Sequence, residues 1–260
     1  MERFSLKRKV AIVTGASGLI GKAFCEALKE AGAIVVAADI IETEELNDYY
    51  YHFTDITDEL SVQKLADCVI KKFGRIDILV NNAAINDMFE DPKASLELSK
   101  FENYPLELWE KSLKVNLTGT FICSKIIGKQ MLLNAKGSII NIASTYGITA
   151  PDQNLYIDLN GVQTFYKPPA YSASKGGVIM LSKFLASYWG KSGIRVNTLS
   201  PGGVENNQDA VFVEKYSDKT PLHRMASVDD YKGAIVFLAS DASSYMTGAN
   251  LIIDGGWTSW

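Results

Sequence analysis

The stretch Lys9–Ile40, KVAIVTGASGLIGKAFCEALKEAGAIVVAADI, decides the fold class of this chain. Its apolar run Val10–Thr14 predicts a buried strand, and the segment Gly21–Ala31 has the period of an amphipathic helix. A second apolar run, Ala33–Ala38, predicts another strand. Between the first strand and the helix lies a glycine-rich turn, TGASGLIG. This order indicates a βαβ unit, in which two parallel strands are joined by a crossover helix.

The rest of the chain continues the alternation of strand-like and helix-like segments. Further strands are predicted at Tyr50–Thr54, Ile76–Ala84, Gly137–Ser144, Ile194–Gly203 and Asn250–Gly256. Further helices are predicted from about Asp58 to Phe73, through Trp109 and Asn116 to Leu133, at Tyr171–Trp189 and at Val228–Leu238. Apolar strands separated by helices predict an α/β fold, a Rossmann-like doubly wound parallel sheet with helices on both faces. Since no linker or repeat divides the 260 residues, we expect one domain over residues 1–260.

The composition excludes several classes of function. The net charge is −4, and no run of lysine or arginine would follow a phosphate backbone, which argues against a nucleic-acid partner. No apolar run is long enough to span a membrane, and the N-terminus lacks the pattern of a signal peptide. The three cysteines are widely spaced and only two histidines are present, so we expect free thiols, a cytoplasmic protein and no metal site.

The glycine-rich turn is a candidate phosphate site. Parallel sheets bind ligands beyond the carboxyl ends of their strands, and the helix that follows the turn directs its N-terminal amides toward an anion. Asp39 follows at the end of the second strand, where a carboxylate accepts hydrogen bonds from an adenosine ribose and repels a 2′-phosphate. No arginine or lysine lies in the turn or directly after Asp39. The pattern favours NAD over NADP, with an ordinary tight βα turn as the alternative.

The motif YSASK is a candidate catalytic pair. It places Tyr171 and Lys175 four positions apart, on one face of a predicted helix. A free tyrosine has a pKa of about 10, and a neighbouring ammonium favours the phenolate and lowers that pKa. Ser144, at the end of a buried strand, offers a hydroxyl that can hold a carbonyl or alcohol oxygen against the phenol. These groups suit hydride transfer to or from a nicotinamide.

Taken in order, these motifs resemble the compact, single-domain members of the short-chain dehydrogenase/reductase family over essentially the whole chain. Besides the glycine turn and YSASK, the resemblance rests on DIT (Asp55–Thr57), NNAA (Asn81–Ala84), VNLTGTF with Asn116, INIAS ending in Ser144, SPGG (Ser200–Gly203) and DGG (Asp254–Gly256). It implies that Tyr171 is the general acid or base, and that Lys175 lowers its pKa and binds the nicotinamide ribose. It also implies that Ser144 positions the substrate oxygen. Asn116 would interrupt its helix and hold a water that links Lys175 to solvent.

The same resemblance implies the residues that contact the ligands. The cofactor contacts come from the glycine turn, the adenosine segments, the catalytic pair and the SPGG turn: Gly15, Ser17, Gly18, Leu19, Ile20, Gly21, Asp39, Asp55, Ile56, Asn82, Ala83, Ala84, Tyr171, Lys175, Pro201, Gly202 and Val204. Predicted substrate contacts are Ser144, Tyr146, Gln153, Asn154, Tyr171 and Asn206. The family also implies self-association into a homotetramer or homodimer through the helices that contain Asn116 and Tyr171.

The chain departs from the family pattern at the turn and in three loops. The turn reads TGxxGxxG where compact members read TGxxxGxG, so Leu19 occupies the usual glycine position. Two insertions are predicted at about 86–105 and 145–169, and a substrate lid at about 204–226. Long structured loops usually serve function, so we expect all three at the rim of the active site, with subunit contacts as the alternative for the insertions.

The predicted function is an NAD(H)-dependent oxidoreductase that interconverts an alcohol and a ketone. The loop sequences STYGITAPDQNLY and SPGGVENNQ resemble oxidoreductases of bacterial surface-sugar and flagellin-glycan pathways, which favours a sugar-like or polyol-like substrate. The TGxxGxxG turn is the habit of the sugar-nucleotide-modifying subfamily, so an NAD-retaining dehydratase or epimerase is the alternative. A dinucleotide-binding sensor without catalysis is a third hypothesis, which the presence of both Tyr171 and Lys175 disfavours.

Overall fold

The computed structural model describes residues 2–86 and 92–260. Seven strands lie within these ranges: β1 (Val10–Thr14), β2 (Ile34–Asp39), β3 (Tyr50–Phe53), β4 (Ile78–Asn81), β5 (Gly137–Ile142), β6 (Ile194–Pro201) and β7 (Asn250–Ile253). The α-helices of the same ranges are α1 (Leu19–Glu30), α2 (Glu59–Phe73), α3 (Pro92–Ser99), α4 (Leu106–Leu113), α5 (Thr120–Leu133), α6 (Pro169–Trp189), α7 (Ala210–Asp218) and α8 (Lys232–Ala239).

The strands form one parallel sheet in the order β3-β2-β1-β4-β5-β6-β7. Strand β1 lies between β2 and β4, with Val10 opposite Ile34 of β2 and Ala11 opposite Ile78 of β4. The chain order reverses at this point, so a crevice opens beyond the carboxyl ends of β1 and β4. The doubly wound parallel sheet predicted from the sequence is confirmed.

Both faces of the sheet are covered by helices, which explains why its central strands are apolar throughout. Ile12 of β1 belongs to the core that packs against α2, α5 and α6, whereas Val13 belongs to the core against α1 and α8. Successive strand residues point to opposite faces, so a strand buried on both sides needs an apolar residue at every position. Phe24 of α1 is fully buried in the second core, and burial of such a side chain stabilises the fold by about 1.5–3 kcal/mol.

The long helix predicted through Trp109 and Asn116 is interrupted in the structure. A π-helical turn, Lys114–Gly119, separates α4 from α5 and contains Asn116. The turn lies tightly against the adenosine side of the sheet, because a Cβ at Gly119 would overlap the Ile56 side chain. Such π-helical turns occur often at functional sites. The interruption that the family resemblance implied is therefore present.

The two insertions and the lid carry structure of their own in the part of the chain described. The first insertion contains α3, and its residues 87–91 lie outside the described ranges. The second insertion forms a short helical turn, Gln153–Tyr156, and an antiparallel bridge between Ile157 and Gln163. The lid contains α7.

Candidate active site

A cleft of about 1920 Å³ lies beyond the carboxyl ends of the central strands. Every residue that the sequence predicted as a cofactor contact lines this cleft, and so do Ser144, Tyr146 and Asn206. A drug-sized ligand occupies about 300–1,000 Å³, so the cleft has room for a dinucleotide together with a small substrate.

The backbone of the glycine turn packs directly against the segment that follows β4 and against α1. Gly15 has a φ of +64°, and a Cβ there would lie 2.6 Å from the Cα of Ala83. The helix begins at Leu19, with Gly18 as its N-cap, and not near Gly21 as the periodicity predicted. Gly21 instead lies in the first turn of α1, where a Cβ would overlap the carbonyl oxygen of Gly15. The shifted glycine spacing therefore starts the helix earlier while Gly21 keeps α1 close to the turn.

Side chains from neighbouring strands hold the glycine turn in place. The Asp39 carboxylate accepts hydrogen bonds from the backbone amides of Ser17 (2.9 Å) and Ile41 (3.1 Å). The Asn82 amide donates to the carbonyl oxygens of Thr14 and Gly15, both at 3.0 Å. The turn is thus preorganised by protein groups on both sides.

The residues around the turn fit a dinucleotide. The first amides of a helix have no partner inside the helix, and they lie at the positive end of its dipole. In α1 these amides belong to Leu19, Ile20 and Gly21, which line the cleft and can bind a pyrophosphate. Asp39 is buried beside them, and its carboxylate can accept hydrogen bonds from the hydroxyls of a ribose.

Ile40 and Ile41 are cofactor-side residues that the sequence analysis missed. Both line the cleft next to Asp39 and are more than half exposed. Two large apolar side chains that follow an acidic strand end offer a face for a flat aromatic ring. The exposed apolar pair directly after Asp39 was the available signal.

The predicted catalytic residues meet on the opposite wall of the cleft. Ser144 and Tyr171 both line the cleft, and the Ser144 hydroxyl is close enough to affect the pKa of Tyr171. The Lys175 ammonium lies 5.7 Å from the centroid of the Tyr171 ring and donates to the carbonyl oxygen of Ile142 at 2.7 Å. Strand β5 positions Ser144 and helix α6 positions the other two, so residues 27 positions apart in the chain come close together.

Burial dominates the electrostatics of this group. Burial raises the pKa of Tyr171 above its ordinary value, and the Ser144 hydroxyl opposes this rise only in part. Burial also lowers the pKa of Lys175 to about 8. The Lys175 ammonium donates to the Ile142 carbonyl and not to the phenol. Its part in lowering the pKa of Tyr171 stays a prediction.

Asn116 lies behind the catalytic group and does not line the cleft. Its amide group donates to the carbonyl oxygen of Ile85 (2.9 Å) and accepts from the Ile85 amide (2.8 Å). It also donates to the Ser174 hydroxyl at 3.1 Å. Asn116 therefore fastens the segment after β4, which lines the cleft, to helix α6. Its part in a water-mediated proton relay stays a prediction.

Two of the predicted substrate residues lie outside the cleft lining. Gln153 holds the insertion together, because its side chain accepts from the Lys167 amide (2.8 Å) and donates to the Lys167 carbonyl (3.3 Å). Asn154 is exposed, and its carbonyl oxygen accepts from the Lys215 ammonium. The sequence placed both residues in the right loop, but their orientation depends on how that loop folds.

Aromatic residues from the second insertion and the lid form the substrate side of the cleft, and the sequence analysis did not select them. Tyr156 packs on Phe212 of α7 with ring centroids 5.5 Å apart. The Tyr216 hydroxyl accepts a hydrogen bond from the Gly203 amide at 2.6 Å. Its ring stacks on Trp257 with ring centroids 4.2 Å apart. The aromatic residues of the second insertion were the signal that could have identified its part of this wall.

Lys167 brings a second cation to the catalytic tyrosine. Its ammonium lies 4.9 Å from the centroid of the Tyr171 ring and donates to the Asn86 side chain at 2.6 Å. Because Lys167 comes from the second insertion, this insertion reaches the catalytic group itself.

In the described parts of the chain, no group of histidine, cysteine and acidic residues is arranged to hold a metal ion. None of the helices described is long and apolar enough to cross a membrane. The three cysteines are free, and burial raises the pKa of Cys25 and of Cys123 to about 12, so neither is a reactive thiolate.

Comparison with known proteins agrees with this geometry. A family model described as enoyl-(acyl carrier protein) reductase matches residues 15–258. D-threitol dehydrogenase of Mycolicibacterium smegmatis is 37% identical over 270 residues, which cover 98% of this chain and 95% of that protein.

Two solved structures superpose on nearly the whole chain. The crystal structure of a short chain dehydrogenase from Leptospira borgpetersenii with bound NAD+ superposes with a TM-score of 0.87 at 32% identity, covering 99% of this chain and 96% of that one. A gluconate 5-dehydrogenase from Burkholderia cenocepacia in complex with NADP and tartrate superposes with a TM-score of 0.84 at 30% identity, covering 99% and 98%. The chain belongs to the short-chain dehydrogenase/reductase family and is an oxidoreductase that acts on alcohol groups.

Proposed function

We propose that this protein is an NAD(H)-dependent dehydrogenase that interconverts a secondary alcohol and a ketone of a sugar-like or polyol substrate. The observation that carries the proposal is the shared cleft. The Ser144, Tyr171 and Lys175 group lines the same cleft as the glycine turn and Asp39. A dinucleotide held at the turn and a substrate held at Ser144 would therefore lie next to each other.

The residues suggest how protons move in the oxidative direction. The Ser144 hydroxyl holds the substrate oxygen beside the Tyr171 phenol, and the phenolate form of Tyr171 accepts the proton of the substrate hydroxyl. The Lys175 ammonium stabilises that phenolate by its charge. A bound nicotinamide would take up the hydride from the carbon, or supply it in the reverse direction. In reduction, Tyr171 returns its proton to the oxygen.

Asp39 supports the choice of NAD over NADP. Its carboxylate is buried at the adenosine end of the cleft and already accepts two backbone amides. A 2′-phosphate at this position would place a second negative charge beside it in a region of low dielectric, which costs binding free energy.

The names of related proteins and the chemistry of the cleft support a polyol. One relative is a D-threitol dehydrogenase, and another is a 2-dehydro-3-deoxy-D-gluconate 5-dehydrogenase from Bacillus subtilis. The substrate side of the cleft combines the phenols of Tyr146, Tyr156 and Tyr216 with aromatic faces. Such surfaces bind the hydroxyls and the carbon skeleton of a polyhydroxy compound together.

The proposal is tested by following NADH at 340 nm while the protein is incubated with polyols, sugars and sugar acids. We expect stoichiometric formation of NADH with NAD and slower formation of NADPH with NADP. A protein that retains bound NAD and converts a substrate without net NADH release would instead be a dehydratase or epimerase, and the proposed function would be wrong. A protein that binds NAD and converts nothing would be a sensor.

We also propose that the protein forms a homodimer or homotetramer through α5 and α6. Met180, Phe184 and Tyr188 follow one another at four-residue spacing on α6, and each is more than 60% exposed. Phe121 of α5 is also exposed, at 46%. Light scattering after gel filtration should give the mass of a dimer or tetramer, and Phe184→Asp should lower it. A monomeric wild type would contradict this proposal.

A further inference from the structure

Two phenols lie side by side on the substrate wall of the cleft. Tyr146 follows Ser144 by two residues, and Tyr156 comes from the helical turn of the second insertion. Both residues line the cleft, and the hydroxyl of each affects the pKa of the other. The catalytic steps described above use neither hydroxyl.

The pair is connected to the group that holds the reacting oxygen. The Tyr146 amide donates to the Ser144 hydroxyl at 3.2 Å, and Ser144 lines the cleft together with Tyr171. The backbone of Tyr146 is therefore fixed relative to the catalytic hydroxyls. A ligand atom bound at the phenol pair would have a defined position relative to the reacting carbon.

Packing around Tyr156 holds the second phenol in place. Its ring meets Phe165 edge-on at 5.3 Å and Phe212 at 5.5 Å. The Lys215 ammonium of α7 donates to the neighbouring Ile157 carbonyl oxygen. Since the ring is held by both the insertion and the lid, its hydroxyl is ordered before a ligand arrives, which reduces the entropic cost of binding.

The charge state of the pair determines what it can bind. Burial raises the pKa of Tyr146, and it raises the pKa of Tyr156 to about 12, so both phenols are neutral at physiological pH. Each neutral phenol has one O–H to donate and lone pairs that can accept. Two such groups in one cleft complement an alcohol hydroxyl, which both donates and accepts.

We propose that the Tyr146–Tyr156 pair binds a second hydroxyl group of the substrate and so selects polyols over simple secondary alcohols. The inference rests on the proposed dehydrogenase function and assigns its substrate specificity to the second insertion. Gln153 and Asn154 were predicted as substrate contacts, but they do not line the cleft.

The test compares kcat/KM for a polyol and for the alcohol that lacks its neighbouring hydroxyls, namely glycerol against propan-2-ol and D-threitol against butan-2-ol. Tyr156→Phe removes one hydroxyl and keeps the ring packing. We expect about a 10- to 100-fold fall in kcat/KM for the polyol and a change within about twofold for the simple alcohol. Tyr166→Phe is the matched control, because Tyr166 lies in the same insertion but outside the cleft lining.

A double variant examines whether the two phenols act together. The double variant with Tyr146→Phe and Tyr156→Phe should lower kcat/KM for the polyol by a factor smaller than the product of the two factors measured for the single variants. The reason is that either change alone already breaks the pair. Thermal unfolding and the Kd for NAD should stay at wild-type values in all three variants.

Three results would overturn the inference. Equal loss with polyol and simple alcohol in Tyr156→Phe would assign the pair a purely structural role. Unchanged polyol kinetics would show that the pair does not touch the substrate. Both leave the dehydrogenase activity in place, whereas a wild type that forms no NADH from any alcohol would overturn the proposed function and the inference together.

Discussion

The backbone amide of Ser17 donates a 2.9 Å hydrogen bond to the carboxylate of Asp39. This bond joins the glycine turn after β1 to the end of β2, the two places where a dinucleotide would contact the protein. It also places a carboxylate at the end of the cleft that the glycine turn forms. Asp39 therefore has two functions in this site, since it orders the turn and it sets the local charge.

Asp39→Asn should shift the cofactor preference toward NADP. The amide keeps the shape of the side chain and an oxygen for the Ser17 amide, but it removes the charge that repels a 2′-phosphate. We expect the ratio of kcat/KM for NAD to that for NADP to fall by about tenfold or more. Steady-state kinetics with both cofactors at constant ionic strength measures this ratio.

Asp48→Asn is the matched control for charge alone. Asp48 is largely exposed and pairs with Lys29 away from the cleft lining, so this variant should keep the wild-type ratio. An unchanged ratio in Asp39→Asn would show that the carboxylate only supports the turn.

The same region shows what a sequence can predict about a site. Asp39 and the glycine turn were identified because a parallel sheet brings the carboxyl ends of neighbouring strands to one edge. Ser144 follows β5 and Tyr171 lies near the start of α6, so the same rule places both residues in one cleft. The order of the strands follows from the same alternation of apolar runs and amphipathic helices.

What the sequence left open depends on packing between segments that are distant in the chain. Gln153 has the chemistry of a sugar ligand, but its amide group is occupied by the backbone of Lys167. Tyr156 reaches the cleft because Phe165 and Phe212 hold its ring there. Neither side-chain orientation follows from a periodic pattern in the sequence. Neither could therefore be predicted without the fold of the insertion.

Gly21→Ala should destabilise the protein. The added methyl group would overlap the carbonyl oxygen of Gly15, which is backbone and cannot turn aside. Overpacking of this kind costs about 1–3 kcal/mol. Urea denaturation should show this decrease in the free energy of unfolding, together with a higher Kd for NAD because α1 must move.

Gly233→Ala provides a comparison of opposite sign. Gly233 is an exposed position of α8 where a Cβ would meet nothing within 4 Å. Alanine should therefore raise the free energy of unfolding by about 0.5–1 kcal/mol through helix propensity. If both variants were equally stable, the close packing of Gly21 on the turn would be wrong.

Tyr171→Phe should abolish most of the turnover while leaving the fold and NAD binding largely intact. Removal of a positioned acid or base lowers kcat by about 10²- to 10⁴-fold. Because the ring and its packing stay, the midpoint of thermal unfolding should not fall. Tyr245→Phe, at a fully exposed position outside the cleft lining, should keep wild-type kcat. Full turnover in Tyr171→Phe would refute the acid–base role.

Lys175→Met should change how stability depends on pH. Burial lowers the pKa of Lys175 from 10.5 in the free side chain to about 8 in the fold. Below pH 8 both states are protonated, and the folded state carries the full cost of the buried charge. Between pH 8 and 10.5 the unfolded chain holds more protons, so the stability of the wild type rises with pH through this window.

Methionine has no such titration, so the free energy of unfolding of Lys175→Met minus that of the wild type should be most positive below pH 8. It should then fall by up to about 3 kcal/mol toward pH 10.5. The variant also leaves the Ile142 carbonyl without its hydrogen-bond donor, which lowers the free energy of unfolding of the variant by about 1–3 kcal/mol at every pH. The test is therefore how the difference between variant and wild type changes with pH, and not its absolute value. Urea denaturation from pH 7 to 10 measures this slope, with Lys183→Met on the exposed face of α6 as the control that should give none. A difference that stays constant across this range would mean that Lys175 keeps its ordinary pKa in the fold.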